Sequence, residues 1–252
     1  MNEPIRFRSA SIPSPAGLDL HPDEIHIWRL DVQRPEAEVA NMRGLLAAQE
    51  CQRADRFRFD KHRRRHIVRT GALRLLLSGY TGQSPQGIRF CHGPKGKPSL
   101  APGSARAQLH FNMSHSEELA VYAFTLAGPT GIDVEFLRPM PDAASIAERF
   151  FSAREYEELV QLPDSLIREG FFNCWTRKEA YIKATGDGLS KPLDQFDVTL
   201  IPGQPARMLL LDGDAQQAAR WSYHHFLPAP EYIGALAIFG KGFRIEAREA
   251  KL

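Results

Sequence analysis

Cysteine is scarce in this chain. The three present, Cys51, Cys91 and Cys174, are odd in number and far apart. They have neither metal-knuckle nor redox-pair spacing, which excludes a disulfide framework and fits reduced thiols. Long apolar runs are missing as well. The longest near the C-terminus, YIGALAIF (232–239), is far too short to cross a bilayer. No apolar stretch follows a basic start, and residues 1–22 are polar and proline-rich, so they read as an N-terminal arm. Net charge is only +2, so the overall balance calls for no polyanionic partner. The expectation is a cytoplasmic protein that engages no membrane and no nucleic acid.

What is present is ordinary globular composition, 43% hydrophobic and 25% charged, over 252 residues. That length can bury one large core or two modest ones. IHIWRLDV (25–32) alternates and predicts a strand. A helical block follows from about 35 to 79, broken near Phe57. Residues 108–114, 119–126 and 131–137 predict three short strands in a meander. Helices are expected at 142–151, 152–162 and 165–185, the second opening with the capping-box pattern Ser152 to Glu155. The tail returns to strands at QFDVTLI, ARMLLLD, RWSYHHFL and YIGALAIFG. The class is α+β. A faint echo links AAQECQRADRFRF and the helix after it to SAREYEELVQL and the helix after that. A duplicated unit would place its site between the halves.

The chemistry starts with GIDVEFL, where Asp133 and Glu135 are two apart and share one strand face. Two such carboxylates repel unless a cation lies between them. In FFNCWTRKEAYIKATGDGL, Glu179 falls in the same helical arc as Phe171, Phe172, Trp175 and Ile182, as does Lys178. A charge on a core-facing stripe needs a partner. Asp133, Glu135 and Glu179 together make an oxygen-only set suited to Mg2+. Between Arg53 and Arg74 stand nine Lys or Arg against two Asp, a local balance of +7. HGPKGKPSL (92–100) carries Lys95 and Lys97 in a glycine-rich turn, and NMSHS offers Ser114 and His115. Lys183 lies one turn beyond Glu179. These elements suit a ligand with several phosphates. A basic nucleic-acid-binding protein or a Mg2+-dependent nucleotide phosphohydrolase are the alternatives on the same residues.

GKP, NMSHS, GIDVE and WTRKEAYIKATGDGL, in this order and spacing, resemble a 4′-phosphopantetheinyl transferase of the Sfp type. The signature W-x-x-K-E-[AS]-x-x-K is met by Trp175, Lys178, Glu179, Ala180 and Lys183, and G-[IV]-D-[IV]-E by residues 131–135. The resemblance covers about residues 45–200. It implies a pseudo-duplicated, two-lobed monomer, each lobe a small antiparallel sheet with packed helices. The lobes would span 23–127 and 128–252, with the active site between them. It also implies coenzyme A as co-substrate, an acyl or peptidyl carrier protein as partner, and Mg2+ on Asp133, Glu135 and Glu179. Glu179 would be the base and Lys183 would neutralise pyrophosphate oxygens. His115 and Ser114, with Arg53 and neighbouring Asn112, would hold the 3′-phosphate end. His92, Lys95, Gly96, Lys97 and Pro98 would line the adenine and phosphates. Lys178 would be structural.

Overall fold

Strands and helices mix along the chain without strict β-α-β alternation. The computed structural model describes residues 5–12, 17–104, 106 and 108–252. β1 (Arg8–Ser11) and β2 (Glu24–Asp31) precede α1 (Glu36–Arg43), α2 (Ala48–Asp55) and α3 (Asp60–Thr81). A hairpin of β3 (Phe90–His92) and β4 (Pro98–Leu100) leads to β5 (His110–Ser116), β6 (Leu119–Thr125) and β7 (Thr130–Phe136). Then come α4 (Ala143–Phe150), α5 (Ala153–Val160) and α6 (Asp164–Thr185). The chain ends in β8 (Phe196–Val198), β9 (Met208–Leu211), α7 (Ala215–Ala218), β10 (Trp221–Phe226), β11 (Tyr232–Phe239) and β12 (Arg244–Lys251). The α+β class is as expected. Among the described residues no helix is long and apolar enough to cross a membrane.

Two sheets carry the molecule. One has the order β1-β12-β2-β6-β5, the other β10-β11-β7. Period-two alternation splits the buried residues between three cores. Trp28, Leu30, Tyr122 and Phe124 face α3 in the first lobe, while Phe171, Phe172 and Ile182 of α6 pack against Ala235 and Ala237 of β11 in the second. Ile25, Ile27, Val121 and Ala123 turn the other way and meet Ile132, Val134, Leu236 and Ile238 between the sheets. β6 is therefore buried on both faces, and LAVYAFT is apolar almost throughout.

The fold differs from the sequence expectation in three places. β7 does not complete a meander. Both edges of β6 are already paired, to β2 and β5, so β7 pairs antiparallel with β11 instead. The last strand leaves the second lobe: β12 runs parallel between β1 and β2, which makes the first sheet mixed and moves 244–251 out of the lobe expected at 128–252. RIEAREAK has few strand-favouring residues, so no local signal marks it. Arg8–Ser11, within the expected arm, forms an edge strand on β12. Residues 1–4 and 13–16 of that arm lie outside the described residues.

The echo between the halves is structural. α2 and α5 have eight residues each, and α3 and α6 have 22 each. Both long helices end on a left-handed glycine, Gly82 at φ 71° and Gly186 at φ 78°. In each half a glutamate at the third position of the short helix reaches back to the residue capping it. Glu50 accepts the Ala47 N–H at 2.9 Å, and Glu155 accepts the Ser152 N–H at 2.9 Å. Each also pairs with a buried cation of the long helix, Arg74 at 2.6 Å and Lys178 at 2.7 Å.

Candidate active site

Between β5 and β7 the two sheets meet through side chains instead of a backbone ladder. Asn112 Oδ1 accepts the Ile132 N–H at 2.9 Å. Ser114 Oγ donates to Asp133 Oδ1 at 2.7 Å, and Ser116 Oγ donates to Glu135 Oε2 at 2.8 Å. Residues two apart on a strand share a face, so both strands present matched rungs at the seam. The carboxylates of GIDVE thus stand at the lobe junction.

α6 supplies the facing wall, and Gly131 is where strand and helix touch. A Cβ there would fall 2.0 Å from the Ala180 carbonyl oxygen, so only glycine permits the approach. The close packing brings Lys183 onto Asp133. Its ammonium donates to Asp133 Oδ1 at 2.5 Å and to Ser114 Oγ at 2.9 Å. Asp133 is 4% exposed, and its Oδ2 has no hydrogen-bond partner. An unpaired buried carboxylate oxygen is costly unless another group meets it.

α6 also corrects the placing of Glu179. The helix is wrapped on nearly every side, and Trp175, Glu179 and Lys183 form the half-buried stripe, each four residues after the last. Lys178 is the charge in the core. It is 0% exposed, pairs with Glu155, and donates to the Leu193 and Phe196 carbonyls at 2.6 and 2.5 Å. Glu179 is held above the usual carboxylate range by burial and then by the charge of Asp133, while Lys183 pulls the other way. Glu135 is raised by the same two causes, burial first. Among the described residues no three His, Cys, Asp or Glu groups converge closely enough to hold a metal unaided. Lys183 covers one oxygen of Asp133, and Ser116 with Arg138 at 3.5 Å holds Glu135.

A basic cavity of about 370 Å³ adjoins the seam, lined by Phe57, His62, Arg65, Arg69, His115 and Ser116 among others. Arg69 Nη1 donates to His115 Nε2 at 2.6 Å. A guanidinium can only donate, so the proton of His115 sits on Nδ1. Burial, then Arg69, pushes His115 down to about 4. Burial and Arg69 bring His66 to about 4 too, with Arg53 adding to the effect. Arg63, Arg64 and Arg65 are paired with Asp60, with Glu36, and with Glu117 and Glu118. Among the described residues Arg53 and Arg69 have no carboxylate partner. Arg69 is the residue sequence reasoning missed. Nothing in the run HRRRHIVR separates it from its neighbours, and its contact comes from β5, 46 residues later.

The hairpin carrying His92, Lys95, Gly96, Lys97 and Pro98 reaches from the first lobe to the turn after α6. Lys97 aliphatic carbons approach Gly186, and Lys95 Cβ approaches Gly188. Lys97 Nζ donates to the Thr130 and Ala184 carbonyls at 3.0 and 2.9 Å, and burial pulls it down to about 8. Two of its three donors clamp the lobes together, so its local role is positional. Gly96 takes φ 84° at the hairpin tip, and His92 and Lys95 are exposed beside it. Asn112 and Ser114 are likewise engaged at the seam, by Ile132 and Asp133.

Comparison with known proteins gives matches across both lobes. Residues 19–126 match a family model described as 4′-phosphopantetheinyl transferase, N-terminal, and residues 129–237 match the 4′-phosphopantetheinyl transferase superfamily. The chain is 41% identical over 233 residues to the 4′-phosphopantetheinyl transferase HetI of Nostoc sp., covering 92% of this chain and 95% of that protein. It is 32% identical over 176 residues to the 4′-phosphopantetheinyl transferase Sfp of Bacillus subtilis, 69% of this chain and 76% of that one. The 4′-phosphopantetheinyl transferase AcpT of Salmonella typhimurium is 34% identical over 128 residues, 50% of this chain and 62% of that one.

Proposed function

The chain belongs to the 4′-phosphopantetheinyl transferase superfamily, and on that premise we propose that it moves the phosphopantetheine group of coenzyme A onto a serine of an acyl or peptidyl carrier protein. The observation that carries this reading is Asp133 at the lobe junction, one oxygen on Lys183 and Ser114 and the other without a partner.

The residues fit a divalent cation. Asp133, Glu135 and Glu179 offer only oxygen, as Mg2+ prefers. Asp133 Oδ2 has no partner, and a cation there would offset both the burial and the Asp133 charge that raise Glu135 and Glu179. Bound there, Mg2+ would offset charge on pyrophosphate oxygens and ease departure of the leaving group. Lys183 donates to two acceptors and has a third donor for a phosphate oxygen. Arg69, with Arg53 and His115 beside it, suits the 3′-phosphate, and the His92–Pro98 hairpin the adenine side. Glu179, raised above its ordinary value by burial and then by Asp133, suits the base. It takes the proton of the carrier serine as the serine Oγ–phosphorus bond forms. The bond between that phosphorus and the bridging oxygen breaks, and the electron pair leaves with 3′,5′-ADP.

Incubation with coenzyme A, Mg2+ and an apo carrier protein, read by intact mass, tests this. The carrier should gain one phosphopantetheine. Consumption of coenzyme A with an unmodified carrier would instead favour a phosphohydrolase, and no change in either would overturn the proposal.

A further inference from the structure

α6 has a second functional stripe. Glu169, Asn173 and Arg177 lie four apart, and Arg177 points about 200° around the helix from Trp175. All three line a cavity of about 1170 Å³ on the far side of α6 from Glu179. Its other walls come from the segment Ile5–Arg8, the loop 203–206, β10 and β12.

The polar groups of this wall are unusually short of partners. Arg177 is 1% exposed, yet among the described residues no carboxylate lies within ion-pair distance. Its Nη1 donates to Thr199 and its Nη2 to Asn173 Oδ1, but its Nε has no partner. Burial pulls this guanidinium down to about 10. Tyr223 is 5% exposed with its hydroxyl unpartnered, and His224 and His225 each have an unpartnered nitrogen. Nine buried side-chain atoms in the described residues lack a partner, and four of them belong to residues lining this one cavity. Native proteins satisfy nearly all such groups, so a concentration of exceptions calls for a cause. The next residue, Lys178, has every donor engaged. An unpaired buried cation is costly, and an anion removes that cost. Arg6 and Arg8 add positive charge to the lining against Glu169 and Glu246, while Ile5, Phe7 and Ile245 make part of it apolar.

We propose that this cavity is a second ligand site, taking a small amphipathic organic anion. Its carboxylate or phosphate head lies against Arg177 and Tyr223, and its apolar part along Ile5, Phe7 and Ile245. The site is separate from the Asp133 junction and does not depend on the reaction proposed there.

Hexanoate, hexyl phosphate, hexylammonium and hexanol are the probes, titrated calorimetrically into the full chain saturated with coenzyme A. At least one of the two anions should bind saturably at one site, with perturbation of the His225 ring resonances, and hexylammonium and hexanol should not. The better of the anions names the head group. Arg177→Met should weaken its binding by about 10-fold or more, the scale of a charge-assisted hydrogen bond. That variant removes an uncompensated buried charge and is expected to stay folded. Tyr223→Phe removes no existing hydrogen bond and should weaken binding about 3-fold to 10-fold, which keeps the test open if Arg177→Met does not fold. Saturable binding by neither anion, binding unchanged in both variants, or binding abolished by coenzyme A would overturn the proposal.

Discussion

The two lobes use the same helical pair and end with different chemistry. Arg74 and Lys178 are each the fifteenth residue of a 22-residue helix, and each meets the third residue of the short helix before it. One position later the lobes part. The first has Leu75 where the second has Glu179, Gly71 where it has Trp175, and Gly79 where it has Lys183. Leu75 packs against the first core, whereas Glu179 opens to the junction with its charge disfavoured. The ion pair is common to both copies, and the proposed chemistry lies on a neighbouring stripe of one copy only. Adjacent residues of α6 show the same division: Lys178 is fully satisfied inside, and Glu179 is half-buried with its charge disfavoured.

The largest effect should come from breaking the shared pair. Lys178→Ala is expected to lose about 3–5 kcal/mol of unfolding free energy in urea titrations, because Glu155 is left as an uncompensated buried charge. Arg74→Ala should lose less, since the Glu50 side chain is 21% exposed and that of Glu155 is 0%. Equal losses would show that burial does not separate the two lobes.

Changing Glu179 on the stripe, or Asp133 opposite it, should instead remove activity. Glu179→Gln and Asp133→Ala should each lower kcat by at least about 100-fold. Glu179→Gln should keep wild-type stability or exceed it, because it removes a charge disfavoured by burial and then by Asp133. Glu135→Gln should cost less, since water can replace one of several oxygen ligands. A destabilised Glu179→Gln would place Glu179 with Lys178 as scaffold.

The first lobe is expected to contribute through the basic cavity. Coenzyme A should bind tighter than its 3′-dephospho form by about 1–3 kcal/mol, read by calorimetry. Arg69→Ala should shrink that gap, and equal affinity of the two ligands for the wild type would remove the 3′-phosphate contact.

The smallest effect is one of pH. His115 is pushed from its ordinary 6.5 to about 4 by burial and Arg69, so the unfolded chain takes up its proton more readily than the folded one. Its contribution to stability is present above about pH 6.5 and is lost as pH falls toward 4. His115→Asn should flatten the acid side of the stability curve and leave the alkaline side parallel to wild type. An unchanged acid slope would mean that His115 is not depressed in the fold.

Much of this comparison is legible in the sequence. Asp133 and Glu135 are two apart on an alternating strand, so local periodicity carries that pair, and a glutamate followed by a cation 24 or 23 residues later occurs in both halves. Contacts made across the chain are not legible in that way. Lys97 resembles a phosphate ligand in HGPKGKP, but it clamps Thr130 and Ala184, 33 and 87 residues away. Glu179 shares an arc with the apolar residues of α6, yet that arc is not the only buried one. A helix wrapped on nearly all sides gives periodicity little to report. β12 is hidden because most of its residues are only half-buried or exposed, so few of them need be apolar.

The central claim is that the second lobe leaves a carboxylate oxygen, Asp133 Oδ2, for a divalent cation. The direct measurement is Mn2+ binding, as a paramagnetic stand-in for Mg2+, followed by electron paramagnetic resonance on the chain saturated with coenzyme A. The expected result is one tight site per chain in the wild type, weakened about 10-fold or more in Asp133→Asn and unchanged in Arg74→Met, in keeping with the scale of a lost charged ligand. Equal Mn2+ affinity in wild type and Asp133→Asn would contradict it.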